Sequence, residues 1–64
     1  MKNVKVSELK VGDIFTESMQ LKNRESFTVE LIQDGYVYSS NNNSRKEKKF
    51  RYDQEKQVIL LKEL

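Results

Sequence analysis

The chain has 64 residues, 12 of them basic and 10 acidic, which gives a formal net charge of +2. A domain of this length buries only about 60% of the surface that its unfolded chain exposes, so there is little room for a catalytic cleft beside a core. Cys and His are absent, which excludes disulfides, the usual zinc ligands and the commonest general base. We therefore expect one non-enzymatic domain, 1–64, with no metal or cofactor.

The distribution of hydrophobic residues also bears on the cellular location of the protein. No apolar run approaches the ~20 residues that a membrane span requires, and Met1 to Val6 lacks the apolar stretch of a signal peptide. The chain from Met1 to Leu64 reads as a complete small open reading frame. The sequence therefore predicts a cytoplasmic protein without membrane contact.

Residues 4–13 favour a short turn of helix ahead of the first long strand. Ser7 is a suitable N-cap for this turn, and Gly12 can adopt the positive φ that ends it. Leu9 and Val11 are then expected to pack on the body of the domain. The L-x-V-G-D order found here is similar to the opening of many small β-barrels, in which the Gly-Asp pair leads the chain into a strand.

Two alternating stretches, 14–22 and 26–33, predict the first pair of strands. The polar residues 22–25 between them fit a hairpin loop. The side chains expected to face the core are Phe15, Met19, Leu21, Phe27, Val29 and Leu31. Asp34-Gly35 follows directly and predicts a type I′ turn, because that turn needs positive φ at both of its central positions.

Two further strands are predicted beyond that turn, at 36–40 and 48–52, joined by a polar loop at 41–47. Alternation groups their side chains by face: Tyr36 with Tyr38, Phe50 with Tyr52, and Lys49 with Arg51. Residues 57–62 are apolar on both parities and predict a last strand that is buried or closes a sheet. A C-terminal helix over 53–64 is the alternative.

Five short strands in meander order with one N-terminal helical turn predict an all-β fold. Closing such a sheet removes its exposed edges. We therefore expect a small five-stranded SH3-like or OB-like barrel, or, with a C-terminal helix, a twisted antiparallel sheet capped by that helix.

Groups that could carry out chemistry are scattered. No predicted strand places two carboxylates on one buried face, as paired acid–base catalysis requires. Ser and Thr side chains have no His to activate them, and there is no G-x-S-x-G motif. Gly12 and Gly35 are isolated, so neither begins a phosphate-binding loop. Binding is the class of function that remains.

The charge distribution indicates where binding occurs. Residues 42–51 hold five cationic side chains and one carboxylate, a net charge of +4, whereas the rest of the chain has a net charge of −2. Segment 45–52 interleaves cations with aromatic rings, which suits phosphates and unpaired bases of RNA or single-stranded DNA. The predicted contact residues are Asn42, Asn43, Arg45, Lys46, Lys48, Lys49, Arg51, Tyr36 and Tyr38.

Three interpretations of this segment remain open: contact with nucleic acid, contact with an acidic protein surface, and a solvated loop. The alternative to nucleic-acid binding is a protein–protein adaptor or inhibitor that docks on a larger partner, of the kind that a phage or another mobile element encodes. An exposed strand edge or the tyrosines would then form the binding face. A homodimer is compatible with each interpretation.

Overall fold

Six β-strands form one antiparallel sheet in the computed structural model, which describes residues 2–17 and 25–64. The strands are β1 (Lys2–Lys5), β2 (Ile14–Thr16), β3 (Phe27–Gln33), β4 (Tyr36–Asn41), β5 (Glu47–Arg51) and β6 (Gln57–Lys62). Their order across the sheet is β1-β6-β2-β3-β4-β5. The all-β prediction is confirmed, but the five-stranded closed barrel is wrong, because the sheet stays open between its edges, β1 and β5.

The sheet is strongly curled, as its aromatic core demonstrates. The ring centroid of Phe15 on β2 lies 5.5 Å from those of Phe27 on β3 and Phe50 on β5. In a flat sheet β2 and β5 would lie about 14 Å apart, since neighbouring strands are spaced by about 4.8 Å. The buried apolar core consists of Val4, Val6, Leu9, Phe15, Phe27, Val29, Val37, Phe50, Val58 and Leu60. Curling replaces barrel closure as the means of enclosing it.

Strand β1 was not expected, because its sequence shows no alternation of apolar residues. Only Val4 is buried in this strand, which is held by antiparallel pairing with β6. A 3-10 turn follows over Val6–Glu8 with Leu9 as its C-cap, so a short helical turn is present, but it ends before Gly12, where the sequence predicted its end. Lys5 rather than Ser7 occupies the cap position, and the Lys5 N–H donates to Glu8 Oε1 at 2.8 Å.

The loop into β2 is fixed by Gly12 and Asp13. Gly12 has the expected positive φ, +96°, and a Cβ there would lie 2.6 Å from Leu64 Cδ2. The buried Asp13 accepts the Lys10 N–H at its Oδ2, 2.9 Å away. Leu9 is buried as predicted.

Some of the core positions predicted around this loop are confirmed, and others are not. Val11 is 50% exposed, so its predicted packing on the body of the domain is wrong. Phe15 is fully buried as expected, and β2 ends at Thr16. The predicted core residues Met19 and Leu21 lie outside the described residues, as does most of the predicted loop at 22–25.

The β3–β4 hairpin contains the predicted turn, but one side chain of β3 lies on the face opposite to the one predicted. Asp34 and Gly35 have φ values of 54° and 80°, as a type I′ turn requires. The pairing register of β3 shifts between Val29 and Leu31, which is a β-bulge. Leu31 is consequently 46% exposed, and its predicted core position is wrong. Ile32 packs against the core in its place.

The structure of β5 and β6 corrects two further predictions, the end of β5 and the helical alternative for the C-terminal residues. β5 ends at Arg51, and Tyr52 lies in a turn, 41% exposed, where its N–H donates to the Gly35 carbonyl oxygen at 2.7 Å. Tyr52 therefore does not share the core face with Phe50. Residues 57–62 form β6, so the helical alternative is wrong, and this strand lies between β1 and β2. Within 2–17 and 25–64, no helix is long and apolar enough to span a membrane.

Candidate nucleic-acid interface

The pairing of β4 with β5 places two tyrosines and two cations on the outer face of the sheet. Tyr36 pairs with Arg51, and Tyr38 pairs with Lys49. Because side chains alternate between faces, these four point away from the core, whereas the pair between them, formed by Val37 and Phe50, is buried. We call Tyr36, Tyr38, Lys49 and Arg51 the outer platform.

Within the outer platform the aromatic rings and the lysine are in contact. The Tyr36 and Tyr38 ring centroids are 6.2 Å apart, and the rings are tilted by 54°. Lys49 Nζ lies 4.5 Å from the Tyr36 ring centroid, a distance at which a cation is attracted to the ring face. Both tyrosines are half-buried, so their orientations are restrained while part of each ring remains accessible.

Arg51 stands at the end of the outer platform, where its charge remains available. Its Nη2 lies 3.0 Å from Asp53 Oδ2, and both side chains are about 70% exposed. An ion pair exposed to this extent stabilises a protein by less than about 1 kcal/mol and is screened by salt. A shallow depression lies beside it, lined by Gly35, Tyr36, Arg51, Tyr52 and Asp53.

Sequence reasoning missed a neighbour of this surface. The bulge in β3 pairs Leu31 with Tyr38 and so extends the outer platform with an exposed apolar side chain. The register shift depends on the pairing of β3 with β4. No local sequence signal distinguishes it from regular alternation, which assigns Leu31 to the core.

Lys48 is separated from the outer platform, because it lies on the opposite face of β5. Its Nζ is 2.6 Å from Glu17 Oε1 and 5.2 Å from the Phe50 ring centroid. Lys56 bonds the second oxygen, Oε2, of the same carboxylate. We call Glu17, Lys48 and Lys56 the inner ion cluster. It connects the end of β2 to β5 and to the segment before β6.

The inner ion cluster changes the acidity of its carboxyl group. Desolvation by burial raises the pKa of Glu17, but hydrogen bonds from Lys48 and Lys56, together with their positive charges, lower it by more. The net effect is a Glu17 pKa below its ordinary value of 4.5. The single negative charge of Glu17 is shared by Lys48 and Lys56, so the cluster keeps a net charge of +1.

The loop between β4 and β5 is organised by Asn41, which is buried. Its Oδ1 accepts the N–H of Asn43 at 2.7 Å and of Ser44 at 3.2 Å. Arg45 has a positive φ, 63°, and its N–H donates to the Asn41 carbonyl oxygen at 2.7 Å. This fixed turn presents Arg45 and Lys46 to solvent, and both are exposed.

The two predicted asparagine contacts differ in availability. The Asn42 amide is occupied within the fold, because its Nδ2 donates to Ser26 Oγ at 3.0 Å and its Oδ1 accepts from Thr28 Oγ1 at 2.8 Å. Asn43 uses its backbone N–H in the turn and is exposed. Both residues are exposed, but within the described part of the chain only the Asn42 side-chain amide makes hydrogen bonds, so the Asn43 amide is the one left for a ligand.

A serine and a lysine elsewhere have the spacing S-x-x-K, at Ser7 and Lys10. They lie on and just after the 3-10 turn, and both are exposed. A lysine that activates a serine nucleophile is usually desolvated or placed beside another cation. Neither condition is met at this turn.

Together, the curled open sheet and the outer platform define a small all-β domain with an aromatic and cationic surface. No protein-family model matches the chain, and searches of curated proteins and of solved structures find no match. The case for a function therefore depends on the geometry of this surface.

Proposed function

We propose that this protein is a binding module for RNA or single-stranded DNA, acting in the cytoplasm, and that the outer platform is its contact surface. The observation that carries the proposal is the register of β4 and β5, which puts both tyrosines beside Lys49 and Arg51 on one outward face. Aromatic rings next to cations on a sheet face suit unpaired bases and phosphates respectively.

Each part of the surface has a distinct role in this proposal. Unpaired bases stack on the accessible parts of Tyr36 and Tyr38, since stacking requires a ring face and little sequence specificity. Lys49 and Arg51 contact the phosphates that flank those bases. Arg45 on the neighbouring loop extends the path of the backbone beyond the sheet.

The free cations favour this arrangement over a uniformly basic segment. Within the described residues, Lys49, Arg45 and Lys46 have no ion pair, whereas Lys48 is paired with Glu17. A polyanion would therefore gain most from the outer platform and the loop. The outer platform lies on the face of β5 opposite the inner ion cluster, whereas Ser44 and Lys46 of the loop line a depression together with Lys48.

Fluorescence anisotropy with labelled oligouridine and oligothymidine of about eight nucleotides tests the proposal, since small β domains cover sites of this order. We expect binding that weakens steeply with salt, by about 0.7 in the log–log slope for each phosphate contact to a single strand. Absence of binding at low salt and tens of micromolar protein would overturn the proposal.

Matched variants locate the contact. Lys49→Gln should reduce affinity and lower the salt slope by about one contact, and Tyr38→Thr should reduce affinity without changing the slope. The control is Lys62→Gln, which removes the same charge from an exposed position on β6. An equal effect of the control would mean that binding follows net charge alone and would contradict a site on the outer platform.

A further inference from the structure

Within residues 2–17 and 25–64, the backbone of β5 has one side without a partner strand. The Tyr52 N–H bonds the Gly35 carbonyl oxygen, and the Asn41 N–H bonds the Lys46 carbonyl oxygen. In an antiparallel pair, residues that exchange backbone hydrogen bonds alternate with residues that do not. These two bonds at either end of the pairing therefore set which backbone groups of β5 face β4.

Because of this alternation, the backbone N–H and C=O groups of every second residue of β5 point outward from the sheet edge. Lys48 and Phe50 bond β4, so the N–H and C=O groups of Glu47, Lys49 and Arg51 face away from it. The Arg51 C=O accepts the Gln54 N–H at 3.1 Å, which leaves the three N–H groups and the C=O groups of Glu47 and Lys49 for a further strand. Among the strands that the structure describes, β5 pairs with β4 only. The side chains of these three residues are exposed as well. β5 thus presents a row of backbone donors and acceptors that an extended chain can pair with.

Charge identifies the kind of chain that fits this edge. Lys49 and Arg51 flank the free backbone groups, and Glu47 is the single acidic residue of β5. Lys48 is already paired with Glu17. A second copy of β5 pairing about its centre would bring Lys49 against Lys49, and like charges directly opposite each other destabilise a sheet. An acidic strand meets opposite charges at the same positions.

We infer that the β5 edge binds an extended acidic segment of a partner protein, which adds a seventh strand to the sheet. Its backbone pairs with the outward N–H and C=O groups of Glu47 and Lys49 and with the Arg51 N–H, and its carboxylates on the outer face meet the two cations. The inference goes beyond the proposed nucleic-acid function, because it depends on the strand edge rather than on the tyrosine rings. Both ligands use Lys49 and Arg51, so they should exclude one another.

The first test uses an eight-residue peptide of alternating threonine and glutamate, with the same peptide carrying lysine for glutamate as its control. Amide hydrogen exchange is followed by NMR on the unmodified protein. The acidic peptide should slow exchange at the Glu47, Lys49 and Arg51 amides by about tenfold or more at saturation, because strand pairing occupies them. Lack of protection at these amides, or equal protection by the lysine peptide, would overturn the inference.

A second test separates the edge from the face. Chemical synthesis gives access to a 64-residue chain in which the Glu47 amide nitrogen is methylated, which removes one outward donor and leaves every residue of the outer platform unmodified. Acidic-peptide affinity should fall about tenfold or more, since a hydrogen bond is lost and the edge is obstructed, while oligonucleotide affinity should stay within about twofold. Lys49→Gln, which keeps all backbone N–H groups of β5 and removes a charge that both ligands use, should weaken the binding of both.

The outcomes distinguish the two proposals. Peptide binding with edge protection but without oligonucleotide binding would retain the edge inference and overturn the nucleic-acid function. Unchanged peptide affinity in the methylated chain would overturn the inference. If methylation prevents folding, as judged by circular dichroism, the exchange measurement on the unmodified protein decides alone.

Discussion

Lys48 and Lys49 are neighbours in the chain, yet they belong to two differently built regions of the molecule. Lys48 points inward, where Glu17 and the Phe50 ring hold its ammonium group. Lys49 points outward over Tyr36 and has no ion pair in the described part of the chain. Alternation along one strand is enough to give two identical side chains separate roles.

The two faces of the β4–β5 pair differ in the same way. The inner face carries buried side chains such as Val37 and Phe50 and is closed by the inner ion cluster. The outer face carries half-buried rings with exposed cations beside them. We therefore expect substitutions on the inner face to change the free energy of unfolding, and those on the outer face to change binding.

The largest difference is expected between Phe50 and Tyr38. Phe50→Ala should lower the free energy of unfolding by about 3–5 kcal/mol, because it removes a ring that packs on Phe15 and Phe27. In a domain this small that loss is most of the stability. Tyr38→Thr should cost about 1 kcal/mol or less. Urea unfolding followed by circular dichroism measures both, and equal losses would contradict the contrast between the faces.

The bulge in β3 provides a second contrast, between Leu31 and Ile32. Ile32→Ala should lower the free energy of unfolding by about 2 kcal/mol, since this side chain packs against the core. Leu31→Thr should change it by less than about 0.5 kcal/mol, because Leu31 is largely exposed. Thermal unfolding of the two variants checks the register, and the reverse order would place Leu31 in the core as regular alternation predicts.

Low pH should reduce the free energy of unfolding, because protonation of Glu17 breaks the inner ion cluster. Its pKa is lowered in the folded state, so its stabilising contribution is complete above the ordinary value of 4.5 and is lost as the pH falls through the lower folded value. Glu17→Gln should remove about 1 kcal/mol at neutral pH, a figure reduced by the solvent exposure of both lysines. It should also flatten the acid limb of stability against pH.

Urea unfolding at a series of pH values measures this dependence. The control is Glu55→Gln, which removes a carboxylate paired with Lys5 at a well-exposed site. An acid limb that is equally steep in Glu17→Gln and in the unmodified protein would show that other carboxylates govern the loss of stability.

The smallest effects on stability are expected for the two adjacent lysines. Substitution of Lys48 should affect stability, and substitution of Lys49 should affect binding. Lys48→Gln should lower the free energy of unfolding by a few tenths of a kcal/mol to about 1 kcal/mol and leave oligonucleotide affinity nearly unchanged. Lys49→Gln should leave the free energy of unfolding nearly unchanged and reduce oligonucleotide affinity. Thermal unfolding and anisotropy on the same two preparations test this, and a shared loss of affinity would remove the distinction between the faces.

Local rules explain which parts of this fold could be predicted. The Asp34-Gly35 turn depends only on the backbone freedom of two residues, and its φ values follow the prediction. Core positions for Phe15, Phe27 and Phe50 follow from alternation. The position of the basic residues on a loop and its adjoining strand also follows from the sequence.

The features that could not be predicted depend on pairing between distant segments. β1 is recognisable only through its pairing with β6, because Val4 is its single buried residue. The side on which Leu31 lies is set by the register with β4. Lys48 could be assigned to the inner face by parity with Phe50, but its ion pair with Glu17, 31 positions away, has no signal in the sequence.

The position of β6 also governs how the chain acquires its structure during synthesis. This strand lies between β1 and β2, so β1 acquires its neighbour among the described strands only after β6 has emerged from the ribosome. Strands β2 to β5 can pair in order as they appear, whereas β1 must wait. A stalled product that ends before Gln57 would keep the outer platform and lack the buried Val58 and Leu60. Such a fragment would expose the apolar surface that β6 covers.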